Sequence, residues 1–262
     1  MKVQVLVATM NQTDYSLLEK MNIQTDAIIG NQCNLNEITE IEYKNRKVKW
    51  LSFNEKGVGL NRNNTLLRAT EDIVLFADDD VVYSDGYEET IVKFYETHPK
   101  ADMVIFNLKM KRGDNEFFER VTKEGRVNKL SATKYGTYCI SARRKKLCLA
   151  NVFFHLNFGG GALYSSGEDS IFLQDCLKKK LKIYSTKQMI GSLDHGESTW
   201  FKGYNDKYFF DKGVLFATLF PAACYLYTFV HCFRKRKKYK DYGWLNGYKQ
   251  MLRGIRFRKR EL

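Results

Sequence analysis

Only two prolines interrupt the 262 residues, and no two of the six cysteines form a Cys-x-x-Cys pair. With 44% hydrophobic residues, the first scarcity excludes a disordered or proline-rich chain. Cys33, Cys139, Cys148, Cys176, Cys224 and Cys232 are irregularly spaced, which indicates neither a zinc cluster nor a disulfide framework. Free thiols in a reducing cytoplasm are expected. A secretory leader is also missing from the expectation, because the apolar stretch after Lys2 runs only from Val3 to Ala8 and is interrupted by Gln4. The length suits one generous domain, or one domain with an appendage.

Acidic balance is lacking at one end only. Of 43 Lys and Arg, twelve lie between Arg234 and Leu262 against Asp241 and Glu261, so the net charge of +13 divides into a near-neutral body and a strongly basic tail. An anionic surface met by the tail alone is the implied partner.

The most informative stretch is Ile73-Val74-Leu75-Phe76-Ala77-Asp78-Asp79-Asp80-Val81-Val82-Tyr83. Five uncharged residues bounded by Asp72 and Asp78 suit a strand covered on both faces, with the acids at its carboxyl end, where ligand sites of open α/β sheets lie. Adjacent carboxylates repel, so the fold must hydrate them, raise their pKa values or supply a cation. Magnesium prefers one or two protein carboxylates plus substrate phosphates to a full protein cage. The pattern therefore suits a metal-diphosphate site, and an acidic turn in water is the plain alternative.

Upstream, Val3 to Ala8 reads as a strand, Asp14 as the cap of a helix burying Leu17, Leu18 and Met21, and Ala27 to Ile29 as a second strand. Strand, helix, strand opens a doubly wound sheet. After a polar segment and a strand from Val48 to Phe53 comes Gly57-Val58-Gly59-Leu60-Asn61-Arg62, where a helix starting near Leu60 would aim its free amides and Arg62 at an anion. It is not Gly-x-Gly-x-x-Gly and does not follow the first strand, which disfavours a nicotinamide cofactor. Downstream come a helix from Tyr87 to Tyr95, strands over Met103 to Leu108 and Leu181 to Tyr184, and a mobile or tightly turned Gly159-Gly160-Gly161 loop. That loop leads into Gly167-Glu168-Asp169 at the head of a helix, where acids often serve simply as caps. Residues 111–150 carry little pattern beyond short strands near Gly136 to Ser141.

Val214 to Phe233 holds no charged residue and precedes Arg234-Lys235-Arg236-Lys237-Lys238. Twenty residues could span a bilayer, but Pro221, His231 and two tyrosines also allow a kinked helix or re-entrant pair lying in the interface, or a buried helix of the body. The polybasic block is of the kind that anionic headgroups attract.

Taken in order, Val-Leu-Val-Ala-Thr at the first strand, Gly-Leu-Asn-Arg-Asn, Phe-Ala-Asp-Asp-Asp, Gly-Glu-Asp and a later His resemble the bacterial family-2 glycosyltransferases of GT-A fold, especially those building capsular or exopolysaccharide. The resemblance covers residues 1–205 and leaves 206–262 as an apolar and polybasic membrane-associated appendage. It implies an α/β, GT-A-like, doubly wound and mostly parallel mixed sheet. It implies an inverting transfer from a nucleotide-diphospho-sugar to a glycan or lipid-linked acceptor, with Mn2+ or Mg2+, at the cytoplasmic face of the membrane. By the same resemblance Thr9 and Asn31 face the nucleotide base, Arg62 approaches the nucleotide, and Asp78 reaches the ribose. Asp79 or Asp80 holds the metal, with His195 as a further ligand or a structural residue. Asp169, with Glu168 as second choice, is the general base. Trp200, with Phe201 and Tyr204, stacks on sugar or acceptor, or belongs to the core or the membrane interface. Two departures stand out: Ala77 occupies the first position of the relatives' Asp-x-Asp-Asp, and Gly30-Asn31-Gln32-Cys33-Asn34 replaces an Asp-rich turn.

Two other readings compete. Asp78-Asp79-Asp80-Val81-Val82 also suits a haloacid-dehalogenase-like phosphatase with Asp78 as nucleophile and Asp80 as acid/base, although that motif normally ends the first strand of its domain. Tyr239, Tyr242, Trp244, Tyr248 and Phe257, interleaved with bases, would suit a nucleic-acid-binding tail, but the uncharged run before them favours lipid, so no nucleic acid is expected.

Overall fold

The computed structural model describes residues 1–112, 116–193 and 203–260. The chain forms β1 (Val3–Met10), α1 (Leu17–Lys20), β2 (Asp26–Gln32), β3 (Glu37–Tyr43), β4 (Arg46–Phe53), α2 (Val58–Leu67), β5 (Ile73–Asp78), β6 (Val81–Tyr83) and α3 (Tyr87–Thr97). There follow β7 (Met103–Arg112), β8 (Glu116–Glu119), β9 (Gly125–Arg126), α4 (Lys129–Ala132), β10 (Ile140–Arg143), α5 (Arg144–Ala150), α6 (Glu168–Lys178) and β11 (Ile183–Leu193). Three helices close the chain: α7 (Asp206–Leu219), α8 (Cys224–Arg234) and α9 (Trp244–Arg260).

All described strands join one mixed sheet in the order β3-β4-β2-β1-β5-β10-β7-β11-β6, with β8 on β7 and β9 on β11. The runs that read as strands because they are uniformly apolar, in β1, β2 and β5, are the parallel centre, covered on both faces. Parallel register sets their carboxyl ends side by side, Thr9 opposite Asn31 and Ala8 opposite Asp78. That edge is where an α/β sheet offers a ligand crevice.

Three local expectations change. The polar segment before β4 is itself a strand: Glu-Ile-Thr-Glu-Ile-Glu-Tyr alternates, half-burying Thr39, Ile41 and Tyr43 while its glutamates keep the sheet edge charged. Its hairpin turns at Lys44 and Asn45, both at positive φ. Leu17, Leu18 and Met21 are buried as expected, but α1 is a single turn, and Asp14 accepts from Ser16 N and Oγ instead of capping a longer helix. The uncharged run 214–233 is not one helix, because Pro221 falls between α7 and α8. Among the described residues no helix is long and apolar enough to cross a membrane.

The last three helices pack tightly on one another and on the body. A Cβ at Gly213 would lie 2.0 Å from the Met251 carbonyl oxygen, and one at Gly254 would lie 2.1 Å from that of Phe210, so α7 and α9 touch backbone to backbone. Val214, Leu215 and Leu219 of α7 bury themselves against Phe158, Tyr164 and Ile171. Asp211 accepts from Ser165 N at 2.9 Å, which ties α7 to the loop entering α6.

Candidate active site

α2 begins beneath the Gly-rich loop and carries an unusual set of buried polar residues, Asn61, Arg62, Asn63 and Thr65. Each has a specific partner. Asn63 exchanges two hydrogen bonds with the Phe154 backbone, at 2.9 and 2.8 Å, fixing one side of the helix. Asn61 lies so close to β2 that a Cβ at Gly30 would sit 2.5 Å from its Oδ1. These contacts leave Arg62 pointing at the sheet's carboxyl edge.

Its guanidinium is 4% exposed and reaches three carboxylates. Nη2 donates to Asp78 Oδ1 at 2.5 Å; Nη1 donates to Glu168 Oε1 at 3.1 Å and to Asp169 Oδ1 at 3.3 Å. Burial disfavours its charge, but Asp78, then Asp169 and Glu168, outweigh burial and hold it protonated. Glu168 lies 106 residues from Arg62 in sequence, and the guanidinium thereby joins the acid triplet and the Glu-Asp turn in one cluster. Arg62 is thus placed among carboxylates, and its charge is engaged there. Two amides at the head of α2 are likewise occupied: Gly57 N donates to Gln32 Oε1 at 2.8 Å and Val58 N to the Gly160 carbonyl at 2.9 Å. The Gly-rich loop is tightly turned, with Gly159 and Gly161 at positive φ and no room for a side chain at Gly159 against Val58 and Glu168.

Glu168 uses both oxygens locally, Oε1 on Arg62 and Oε2 on Gly167 N, and its side chain is 12% exposed. Asp169 keeps 28% of its side chain exposed, and Thr137 Oγ1 donates to its Oδ1. Burial, then the charge of Glu168, push its carboxyl up to about 7 in spite of Arg62 and Thr137. Thr137 lies within Gly136 to Ser141, expected as a short strand, where a 3-10 turn over Thr137–Cys139 instead leads into β10; only its neighbourhood in space reveals its role.

At the tip of β5, Thr9 donates to Asp79 Oδ2 at 2.5 Å and accepts from Gln12 Nε2 at 2.9 Å. Asn31, buried beside Thr9, holds the Gln12 backbone at both ends, accepting from its N at 3.0 Å and donating to its O at 2.9 Å. Thr9 and Asn31 therefore shape the β1 exit loop through Gln12, a residue that sequence reasoning did not single out. Asp80 carries a buried Oδ1 with no hydrogen-bond partner, and burial, then Asp78 and Asp79, raise its pKa to about 6. A buried carboxylate oxygen left without a donor, beside two further carboxylates, fits a bound cation. Among the described residues no three His, Cys, Asp or Glu side chains are grouped so that they could hold a metal ion. His195, Trp200 and Phe201 lie outside the described residues. Tyr204 packs against Tyr208 of α7 and against Tyr239 in the turn between α8 and α9.

A cavity of about 610 Å3 opens elsewhere, lined by Gln4, Asp26, Arg46 and Glu71. These residues lie at or before the amino ends of β1, β2, β4 and β5, the wrong end of the sheet for this chemistry.

The family model described as glycosyl transferase family 2 matches residues 25–165, more than half of the chain. The chain belongs to glycosyl transferase family 2. Among solved structures it is similar to S. aureus TarS 1-349 in complex with UDP-GlcNAc, with a TM-score of 0.61 and 18% identity, covering 83% of this chain and 66% of that one. The same fragment in complex with UDP gives a TM-score of 0.59 at 15% identity, over 83% of this chain and 65% of that one. The longer S. aureus TarS structure gives 0.58 at 17% identity, and this chain spans 39% of its length. A search of curated proteins found no match to this sequence. At these identities the likeness is one of fold, and it is the GT-A-like arrangement expected from the motif order. The phosphatase reading loses its ground with the family-2 match, and Arg62 against Asp78 Oδ1 would also blunt a nucleophile there.

Proposed function

We propose that this family-2 protein is a metal-dependent, inverting glycosyltransferase. It moves a sugar from a nucleotide-diphospho-sugar to a hydroxyl of a glycan or lipid-linked acceptor in bacterial surface polysaccharide synthesis. The observation that carries the reading is the Arg62 bridge between Asp78 at the tip of β5 and Asp169 at the head of α6, which gathers two distant motifs into one cluster. Asp169 is the base: it is the more exposed of the Glu-Asp pair, and its raised pKa suits proton transfer near neutrality. As its oxygen takes the acceptor's proton, the acceptor oxygen bonds to the anomeric carbon and the bond to the diphosphate breaks on the opposite face, inverting the centre. Asp79 and Asp80 would hold Mn2+ or Mg2+, which supplies charge stabilisation to the departing diphosphate. Asp78, a third exposed, is available to the ribose while Arg62 fixes its other side. Arg62 acts on Asp169 and Asp78 as a positioning residue, and Thr9 and Asn31 act by ordering the loop that faces the base.

The enzyme works at the cytoplasmic face of an anionic membrane, where cytosolic nucleotide sugars meet lipid-borne acceptors; the basic tail supports this. The rival nucleic-acid reading loses its stacking platform. Tyr239 is sealed in the core, Tyr242 stacks on Phe209, and Trp244 and Tyr248 pack on Phe233 and Phe229. A panel of nucleotide sugars scored by thermal unfolding, with Mn2+ and with chelator, tests the catalytic reading. Metal-dependent protection by one donor is the expected result, at about 2.7 kcal/mol for ligand at a hundred times its Kd. No protection by any donor would sink it.

A further inference from the structure

A surface helix normally buries its apolar stripe and turns polar residues outward. In α8 the order is reversed. Cys224, Thr228 and Cys232, one every fourth residue, face inward, while Tyr225, Leu226, Phe229, Val230 and Phe233 are exposed, Leu226 to 65%. The spacing i, i+1, i+4, i+5, i+8 makes these five a continuous ridge along the helix. Directly at its carboxyl end the chain continues with Arg234, Lys235, Arg236, Lys237, Lys238 and Lys240, all exposed. None of the six forms an ion pair among the described residues, and the first acid is Asp241.

We propose that the outward ridge of α8 and the basic turn 234–240 form one docking surface for an anionic lipid bilayer, on which α8 lies flat. Charge complementarity selects the partner: unpaired cations meet headgroup phosphates while the adjacent apolar ridge enters the acyl boundary. An RNA would satisfy the cations but has no use for Leu226 and Val230. Eleven residues at about 1.5 Å each make a helix roughly half as long as a bilayer's hydrocarbon core, so α8 cannot cross it. The surface is rigidly coupled to the catalytic end. α8 packs through Cys224 and Cys232 on α7 and α9, Asp211 of α7 holds Ser165 N, and a Cβ at Gly167 would meet the Leu215 side chain at 2.4 Å. Docking α8 therefore sets the attitude of the head of α6, with Glu168 and Asp169, toward the bilayer. The inference rests on the proposed function only for what is brought close, a lipid-borne acceptor.

The test is flotation of the full chain with vesicles of phosphatidylcholine alone or of equal parts phosphatidylcholine and phosphatidylglycerol. Co-flotation with the anionic vesicles alone is expected. Leu226→Glu with Phe229→Glu, and separately Lys237→Glu with Lys238→Glu, should each weaken it at least about tenfold, with unchanged helical circular dichroism and unchanged transfer to a soluble acceptor. Equal flotation of both variants and parent would overturn the proposal, as would tight binding of a labelled single-stranded RNA by a parent that ignores both vesicles. Flotation lost in the variants of a protein that transfers no sugar to any acceptor would keep the docking surface and sink the glycosyltransferase reading instead.

Discussion

Replacing Arg62 with methionine would leave Asp78, Glu168 and Asp169 without the only cation that contacts all three among the described residues. Methionine restores much of the volume, so the loss is electrostatic rather than a cavity. Breaking a buried ion pair by removing one partner costs about 3–5 kcal/mol, and here the orphaned side is three carboxylates, two of them less than a third exposed. Against a typical domain stability of about 5–15 kcal/mol, that is a large fraction. The cost depends on pH. In the parent, the Asp169 carboxyl is already raised to about 7, so its contribution favours folding below its ordinary range near 4 and is lost as pH rises through about 7. Without Arg62 the folded-state value rises further, so the penalty is greatest at pH 8 and shrinks toward pH 5 as the site takes up protons. Urea unfolding of parent and variant at both pH values measures this, and Arg62→Lys, which keeps the charge but loses the fork, should fall between them. A loss below about 1 kcal/mol that is equal at pH 8 and pH 5 would refute the argument.

Other outcomes follow from single contacts. Thr137→Val removes a hydroxyl that favours the Asp169 carboxylate, so the acid limb of the transfer pH profile should move up by about half to one unit. Thr137→Ser should restore it, and an unmoved profile would disconnect the hydroxyl from the base. Asp80→Asn should have opposite effects on stability and binding: because the folded-state pKa of Asp80 is raised, the metal-free protein should gain about 1 kcal/mol above pH 6 while metal-dependent donor protection disappears. Calorimetric scans with and without Mn2+ would expose any failure of that pairing. Gly213→Ala or Gly254→Ala puts a methyl within about 2 Å of a facing carbonyl and should cost at least about 1–3 kcal/mol by parting α7 from α9; an unchanged unfolding midpoint would contradict the packing.

The parallel heart of the sheet was legible because β1, β2 and β5 are buried on both faces, which leaves uniform apolar runs. β3 was not, since an edge strand that turns three glutamates outward looks like a loop. The uncharged run 214–233 was visible as a unit with Pro221 as its break, yet composition did not reveal that the second half wears its apolar side outward. Within the site, motif order was enough to nominate Asp78, Asp79, Asp80, Glu168 and Asp169. Arg62 read as a cation facing an anionic ligand, because nothing local to α2 shows that Glu168 and Asp169 close over it. Thr137 and Gln12 carried no motif at all, and each matters only through a partner far away in sequence.

The most direct measurement compares Asp169→Asn with the parent for two quantities: protection by the preferred nucleotide sugar with Mn2+, and transfer of its sugar to acceptor at pH 8. Asparagine fills the same space beside Arg62 and Thr137 but takes up no proton, so protection should persist while transfer falls by about 10²–10⁴. Transfer at the parent rate would contradict the account.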